Sequence, residues 1–240
     1  EITTRLVGSE MCIRDSRYLV DAKSQAEKRA FSHFVIPRFT HARASDGNSI
    51  QDLYAAIIKN GNRNVLLVED AINLVRAGRS PILLTERKEH AAQLAMLLKP
   101  QVQNVFLMVG SDKPKEKREK LDALHATPAN EEVAVVATGK YIGEDFDAPR
   151  LDTLLLAMPI SWKGTLAQYA GRLHRNYEGK HEVRIYDYVD IRIPMLERMY
   201  HKRLKGYADL GYQVKFGAAD ERVSMIYNCL LYTSPSPRDA

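Results

Sequence analysis

Apolar and polar positions alternate along the chain in two distinct rhythms. Short, nearly unbroken apolar runs occur at Pro81–Thr85, Val105–Val109, Val133–Ala137, Thr153–Ala157 and Val183–Tyr188. Runs of that length with turn residues at their ends read as strands buried on both faces. Between them the apolar positions fall into a helical rhythm. Ala91, Leu94, Ala95 and Leu98 share one face, a charged helix opens near Pro114, and a long helix is expected from about Pro194 to Leu210, stopping at Gly211. Strand–helix alternation of this kind predicts an α/β fold with a mainly parallel sheet and helices on both faces. Upstream, Ile50, Leu53 and Ile57, then Val65, Val68, Ile72 and Val75, describe two amphipathic helices, expected to form an N-terminal helical appendage. Residues 17–48 read as a short strand, a polar helix, the extended stretch VIPRFTHAR and a loop at Asp46-Gly47-Asn48.

The two ends do not follow either rhythm. Residues 6–15, LVGSEMCIRD, and 229–239, CLLYTSPSPRD, can be encoded on opposite strands of a single DNA stretch, the second as far as Arg238. The pair resembles read-through of a transposase-type sequencing adapter, so 1–16 and 229–240 are set aside from the fold. Both cysteines, Cys12 and Cys229, go with them, which leaves the middle without a disulfide, a zinc knuckle or a thiol nucleophile. The expected organisation is an interdomain connection with the helical appendage over 17–79, one α/β domain over 80–215, and an unassigned tail over 216–228. The domain is read as a piece of a longer protein.

Charge changes this picture modestly. The whole chain carries +5; residues 1–16 hold two arginines against three acids and 229–240 one against one, so the middle carries +6. An excess of that size permits a polyanionic partner without requiring one. No apolar run reaches membrane-spanning length and no export signal stands out, so the expectation is a cytoplasmic protein with no membrane partner.

One helical stretch stands apart: QYAGRLHR, residues 168–175. Gln168, Gly171, Arg172 and Arg175 are spaced 3, 1 and 3, which makes one stripe on a helix. Leu166, Tyr169, Ala170 and Leu173 have the same spacing on the opposite side. The helix therefore has an apolar back and a front bearing two guanidiniums and a glycine. Paired guanidiniums match phosphate geometry, and a glycine that costs a helix about 1 kcal/mol against alanine suits close approach to the backbone. A solvated basic face is the plain alternative.

Here the sequence resembles motif VI of superfamily 2 helicases, Gln-x-x-Gly-Arg-x-x-Arg. The resemblance covers about residues 80–212, and the phrasing is similar to bacterial DEAD/DEAH-type helicases of restriction and phage-conflict systems. It implies a second RecA-like domain. In that family Arg172 and Arg175 would act as arginine fingers on ATP held with Mg²⁺ by a first domain, with Gln168, Gly171 and Asp147 also in the nucleotide site. The stretch ATGKYIGEDFDAPRLDTLLLAMP resembles motif V, so Thr138, Gly139 and Lys140 are implied in holding nucleic-acid phosphates. Thr85 and Arg87 stand where motif IV does, and Gly110 with Ser111 follows the next strand. These residues are expected to gather at the carboxyl ends of strands, where ligands collect in open α/β sheets. One departure is plain: relatives carry glycine where Asp145 stands, and an added carboxylate there should repel phosphate.

The resemblance implies an ATP-dependent helicase or translocase acting on nucleic acid, with DNA expected. The missing first domain and a nuclease or other conflict-system subunit are its implied partners. No P-loop, Gly-x-x-x-x-Gly-Lys-[Ser/Thr], and no acidic Walker B strand is present. This stretch alone is therefore expected to be inactive, and no metal ligand is assigned to it. The lysine-rich stretch 113–120 is interleaved with Asp112, Glu116 and Glu119 and reads as a solvated helix surface. Arg198, Lys202, Arg203 and Lys205 are left unassigned, and Trp162 reads as a packed indole. A second reading stays open, a non-catalytic α/β module that binds nucleic acid or a protein through the same basic face. A Rossmann enzyme is disfavoured because no Gly-x-Gly-x-x-Gly follows a strand.

Overall fold

The structure, a computed structural model, describes residues 31–43, 49–142, 146–160 and 165–216. Asp145, Trp162, the loop 46–48, the adapter-like ends and the tail from 217 lie outside the described residues. Within them the order is β1 (Ser32–Thr40), α1 (Ile50–Lys59), α2 (Gly61–Arg76), β2 (Pro81–Thr85), α3 (Lys88–Leu98), β3 (Asn104–Met108), α4 (Pro114–Ala126), β4 (Val133–Thr138), β5 (Thr153–Leu156), α5 (Thr165–Leu173), β6 (Glu182–Asp190), α6 (Pro194–Asp209) and β7 (Gln213–Val214).

The strands form one parallel sheet in the order β3-β4-β2-β5-β6-β1-β7. Alternate side chains divide its core into two layers. Ile82, Leu84, Val135, Leu154 and Ile185 face α4, α5 and α6, joined by Leu124, Leu166, Ala170, Leu173 and Tyr207. Leu83, Ala134, Val136 and Leu155 face the other way, against Leu67, Ala71 and Leu74 of α2 and Ala91, Leu94 and Leu98 of α3. Coverage on both faces is why the central strands are apolar throughout, β2 and β4 being buried at every position.

Helix ends follow local chemistry. Ser49 and Asp52 form a reciprocal capping box at the start of α1, and the Asn60 side chain accepts from Arg63 N at 3.0 Å to start α2. Gly78 (φ 76°) and Gly211 (φ 79°) turn the chain left-handed after α2 and α6, a conformation that costs other residues a Cβ clash.

Two features differ from the sequence reading. The helices read as an appendage do pack on the core, but a strand of the sheet precedes them: β1 pairs with β6 from Ser32↔Glu182 to Thr40↔Asp190. The α/β unit therefore begins before residue 80. Arg203, unassigned from the sequence, is 1% exposed and donates to both Asp187 oxygens at 2.8 Å. Tyr207 donates to the same carboxylate at 2.8 Å, which seats α6 on β6. Arg63 likewise spans the strand ends, meeting Asp190 at 3.0 Å and the Ala157 carbonyl at 2.6 Å.

Candidate functional site

Helix α5 is built as its spacing predicts. Leu166, Tyr169, Ala170 and Leu173 are buried against the sheet, and Gln168 and Gly171 are exposed. The helix ends at Leu173, so three members of the stripe lie on it and Arg175 stands in the turn beyond. Arg172 is half-buried, lining a small apolar crevice with Phe146, Ala148, Leu151 and Tyr169. A Cβ added to Gly171 would meet nothing within 4 Å, so the front of the helix is open.

Arg175 Nε lies 3.4 Å from Asp147 Oδ1, with the two side chains 54% and 53% exposed. A pair this exposed is worth about 0–1 kcal/mol and does not lock the guanidinium in place. Asp147 is anchored through its main chain, whose carbonyl accepts from His125 Nε2 at 2.7 Å. These groups do not lie at the carboxyl ends of the strands. Helix α5 runs back against the strand direction, so Arg175 emerges beside the segment leading into β5 and the turn leading into β6.

A second cluster does lie at the strand tips. A cavity of about 210 Å³ between the ends of β2, β3 and β4 is lined by Glu86, Lys88, Gly110, Ser111, Thr138 and Lys140. Two of the main-chain donors around it are already engaged. Gly110 N donates to Thr138 Oγ1 at 2.8 Å, and Gly139 N donates to the Thr85 carbonyl at 3.1 Å. The Thr138 hydroxyl proton, the Ser111 side chain and the ammoniums of Lys88 and Lys140 remain as donors toward the cavity.

Thr85 is turned inward, 1% exposed, with Oγ1 3.0 Å from His90 Nδ1. Because Asn64 Nδ2 donates to Ile58 O, its Oδ1 faces His90 Nε2 at 3.0 Å as acceptor. His90 therefore carries its proton on Nε2 and accepts from Thr85 on Nδ1. Burial, with the Arg63 charge adding, pushes His90 down to about 4. Arg87 is exposed and hydrogen bonds Gln51 on α1. Thr85 thus holds the tip of β2 in place, while Arg87 stays at the surface.

Close approach explains two glycines at this site. A Cβ on Gly139 would lie 2.4 Å from the Tyr169 hydroxyl and 2.6 Å from Glu86 Oε1, and one on Gly110 would lie 2.6 Å from Lys140 Cβ. Partial burial raises the Glu86 carboxyl above its usual range, and Lys140 opposes the shift. Tyr169 is pushed up to about 12, first by burial and then by Glu86. Glu86, the Tyr169 hydroxyl and Lys180 escaped the sequence reading. Tyr169 was legible only as part of the apolar back, Glu86 only as the middle of the Thr85-Glu86-Arg87 triplet with no role of its own, and Lys180 carries no motif. Among the described residues no group of three or more His, Cys, Asp or Glu side chains is arranged to hold a metal ion, and no helix is long and apolar enough to cross a membrane.

The seven-stranded parallel sheet with helices on both faces is an α/β RecA-like fold. Among solved structures, the crystal structure of T4 UvsW is similar at a TM-score of 0.62 and 18% identity, over 78% of this chain and 41% of that one. The DEAD-box helicase domain 2 of Mss116p, bound to an RNA duplex, has a TM-score of 0.51 and 14% identity over 85% of this chain and 70% of that one. S. cerevisiae Dbp5, bound to RNA and ADP BeF3, gives 0.51 and 14% over 84% and 46%. At these identities the likeness is one of fold, and the chain spans less than half of UvsW. No protein-family model matches the sequence, and no curated protein matches it.

Proposed function

We propose that this chain is the second motor domain of an ATP-dependent nucleic-acid helicase or translocase, with DNA as the polymer. The observation that carries the reading is the open front of α5. It presents Gln168, Gly171, Arg172 and the adjoining Arg175 on a rigid apolar back, with Asp147 at 3.4 Å from Arg175. Half-exposed guanidiniums suit a phosphate brought by a neighbouring domain, and so fit ATP. A first RecA-like domain holding ATP and Mg²⁺ would supply the reactive phosphoryl group. Arg172 and Arg175 stabilise the charge that develops on it, and Asp147 accepts from the ribose. At the strand tips, Ser111, Thr138, Lys140 and Lys88 line a cavity, with Glu86 on the same wall, and supply donors suited to a backbone phosphate. Phosphate contacts of this kind position a strand without reading its sequence. Dbp5 bound to RNA and ADP BeF3 and Mss116p bound to RNA support nucleotide and nucleic acid as the ligand classes.

The test uses a protein that carries both RecA-like domains. Arg175→Ala should lower nucleic-acid-stimulated ATP hydrolysis by about 10³–10⁵-fold while nucleotide binding is retained. Unchanged turnover would overturn the assignment.

A further inference from the structure

Five residues past Arg175, Lys180 sends its ammonium back under the turn. Nζ lies 2.5 Å from the Pro149 carbonyl, 2.8 Å from that of Leu151, 3.0 Å from that of Arg175 and 3.1 Å from that of Leu173. The first two belong to the segment joining Asp147 to β5. The other two are at the end of α5, where carbonyls lack intrahelical partners and the helix dipole favours a cation. Three ammonium hydrogens serve four oxygens, so one is shared. An ammonium radiates its donors from a point and can gather four carbonyls, whereas a planar guanidinium fork cannot. The charged groups facing it are Asp152 at the start of β5 and Arg79 before β2. Arg79 is itself held 3.5 Å from Asp152 and 2.8 Å from Glu182.

We propose that Lys180 is a positioning residue for the arginine pair, fixing the Arg175 main chain against the segment that carries Asp147 without touching nucleotide. The inference rests on the reading of Arg175 as the nucleotide-facing arginine. Its physical content is that a weak, exposed Arg175–Asp147 pair cannot set its own geometry, so the main-chain spacing beneath it must. Pulling out the ammonium leaves four carbonyls facing one another and lets the two segments separate.

Titration gives a readout that a merely structural role would not move. Burial pushes the ammonium down to about 8, with Asp152 opposing and Arg79 adding. The four carbonyls also retain the proton, so deprotonation falls at or above about pH 8. The neutral amine has two hydrogens for four oxygens and grips less. Because the folded value lies below that of the unfolded chain, the folded state holds fewer protons over this interval. The contribution of Lys180 to stability therefore rises with pH. Loss of turnover without loss of thermal stability is thus the signature of positioning.

In the two-domain protein, stimulated ATP hydrolysis and melting temperature are measured from about pH 7 to about pH 10 for wild type, Lys180→Met and Arg175→Ala. The expected result is a kcat about 10–10²-fold lower in Lys180→Met with KM for ATP little changed. Wild type should also show an alkaline fall in kcat that the variant lacks. Should Arg175→Ala abolish turnover while Lys180→Met keeps the wild-type kcat, or loses activity through KM alone, the positioning role fails and the motor reading stands. Should Arg175→Ala leave turnover intact, the motor reading itself fails. If Lys180→Met does not fold, the wild-type profile decides, and a flat kcat up to about pH 10 overturns the proposal.

Discussion

Replacing Gly139 with alanine puts one methyl group where three elements meet, and the structure fixes what it strikes. An ideal Cβ there lies 2.4 Å from the Tyr169 hydroxyl and 2.6 Å from Glu86 Oε1, well inside the 3.4–4 Å of ordinary contact. Glu86 ends in a flexible, exposed carboxylate and can swing aside. Tyr169 has less room, being 6% exposed and packed among the core side chains between α5 and the sheet. Forcing a methyl group into a filled space costs about 1–3 kcal/mol. At about 2–4 °C per kcal/mol for a domain of this size, the melting temperature should fall by about 2–12 °C. Thermal unfolding of the chain, followed by circular dichroism at fixed pH and salt, measures it. Tyr169→Phe removes the nearest atom, so the double variant should regain more than half of the loss. The coupling between the two sites should be about 0.5–3 kcal/mol. An unchanged melting temperature in Gly139→Ala, or an equal loss with and without the tyrosine hydroxyl, would refute the packing argument.

Gly171→Ala should do the opposite, since its Cβ meets nothing within 4 Å and alanine is favoured over glycine in a helix by up to about 1 kcal/mol. The melting temperature should rise by up to about 2–4 °C, and a fall would contradict the open front of α5. His90 makes the fold acid-sensitive. Its value in the folded state is about 4 against the ordinary 6.5, so the unfolded chain takes up the proton first. Stability should drop by up to about 3 kcal/mol as pH falls from about 6.5 to about 4. Melting curves of His90→Gln should show a shallower slope across that window, and an unaltered slope would remove His90 as the cause.

What the sequence disclosed and what it concealed divide along physical lines. The central strands were legible because a sheet covered on both faces demands unbroken apolar runs: 81–85 coincides with β2, and 133–137 falls short of β4 by its last residue only. The stop at Gly211 was legible because the left-handed turn there favours glycine. Strand β1 was read only as an extended stretch. Its polar residues and Pro37 argue against a central strand, and Pro37 is tolerated because β7 pairs only with Phe34 and Val35, leaving that side of β1 open beyond them. In the site, the two faces of α5 were legible from spacing alone. Its termination before Arg175 was not, because the capping cation comes from Lys180 in the following turn. Nor does a lysine announce from sequence that its partners are four carbonyls. Arg203 was invisible as a core residue for a similar reason: its carboxylate, Asp187, lies on a different element, and nothing in a run of basic residues marks which one turns inward.

The domain uses the same chemical pair twice, with opposite consequences. Arg203 and Asp187 are each 1% exposed at the side chain and meet at 2.8 Å, with Tyr207 on the same carboxylate. Removing one partner from such a pair leaves a buried charge and costs about 3–5 kcal/mol, so α6 and β6 are held as a fixed floor. Arg175 and Asp147 are more than half exposed and 3.4 Å apart, where solvent screens most of their attraction. An incoming phosphate oxygen could replace that carboxylate at small cost, and it could not replace the buried one. Burial therefore decides which guanidinium is scaffold and which is available to a ligand. The spacing of the arginines along the sequence could nominate candidates, but only their depth in the fold separates the two roles.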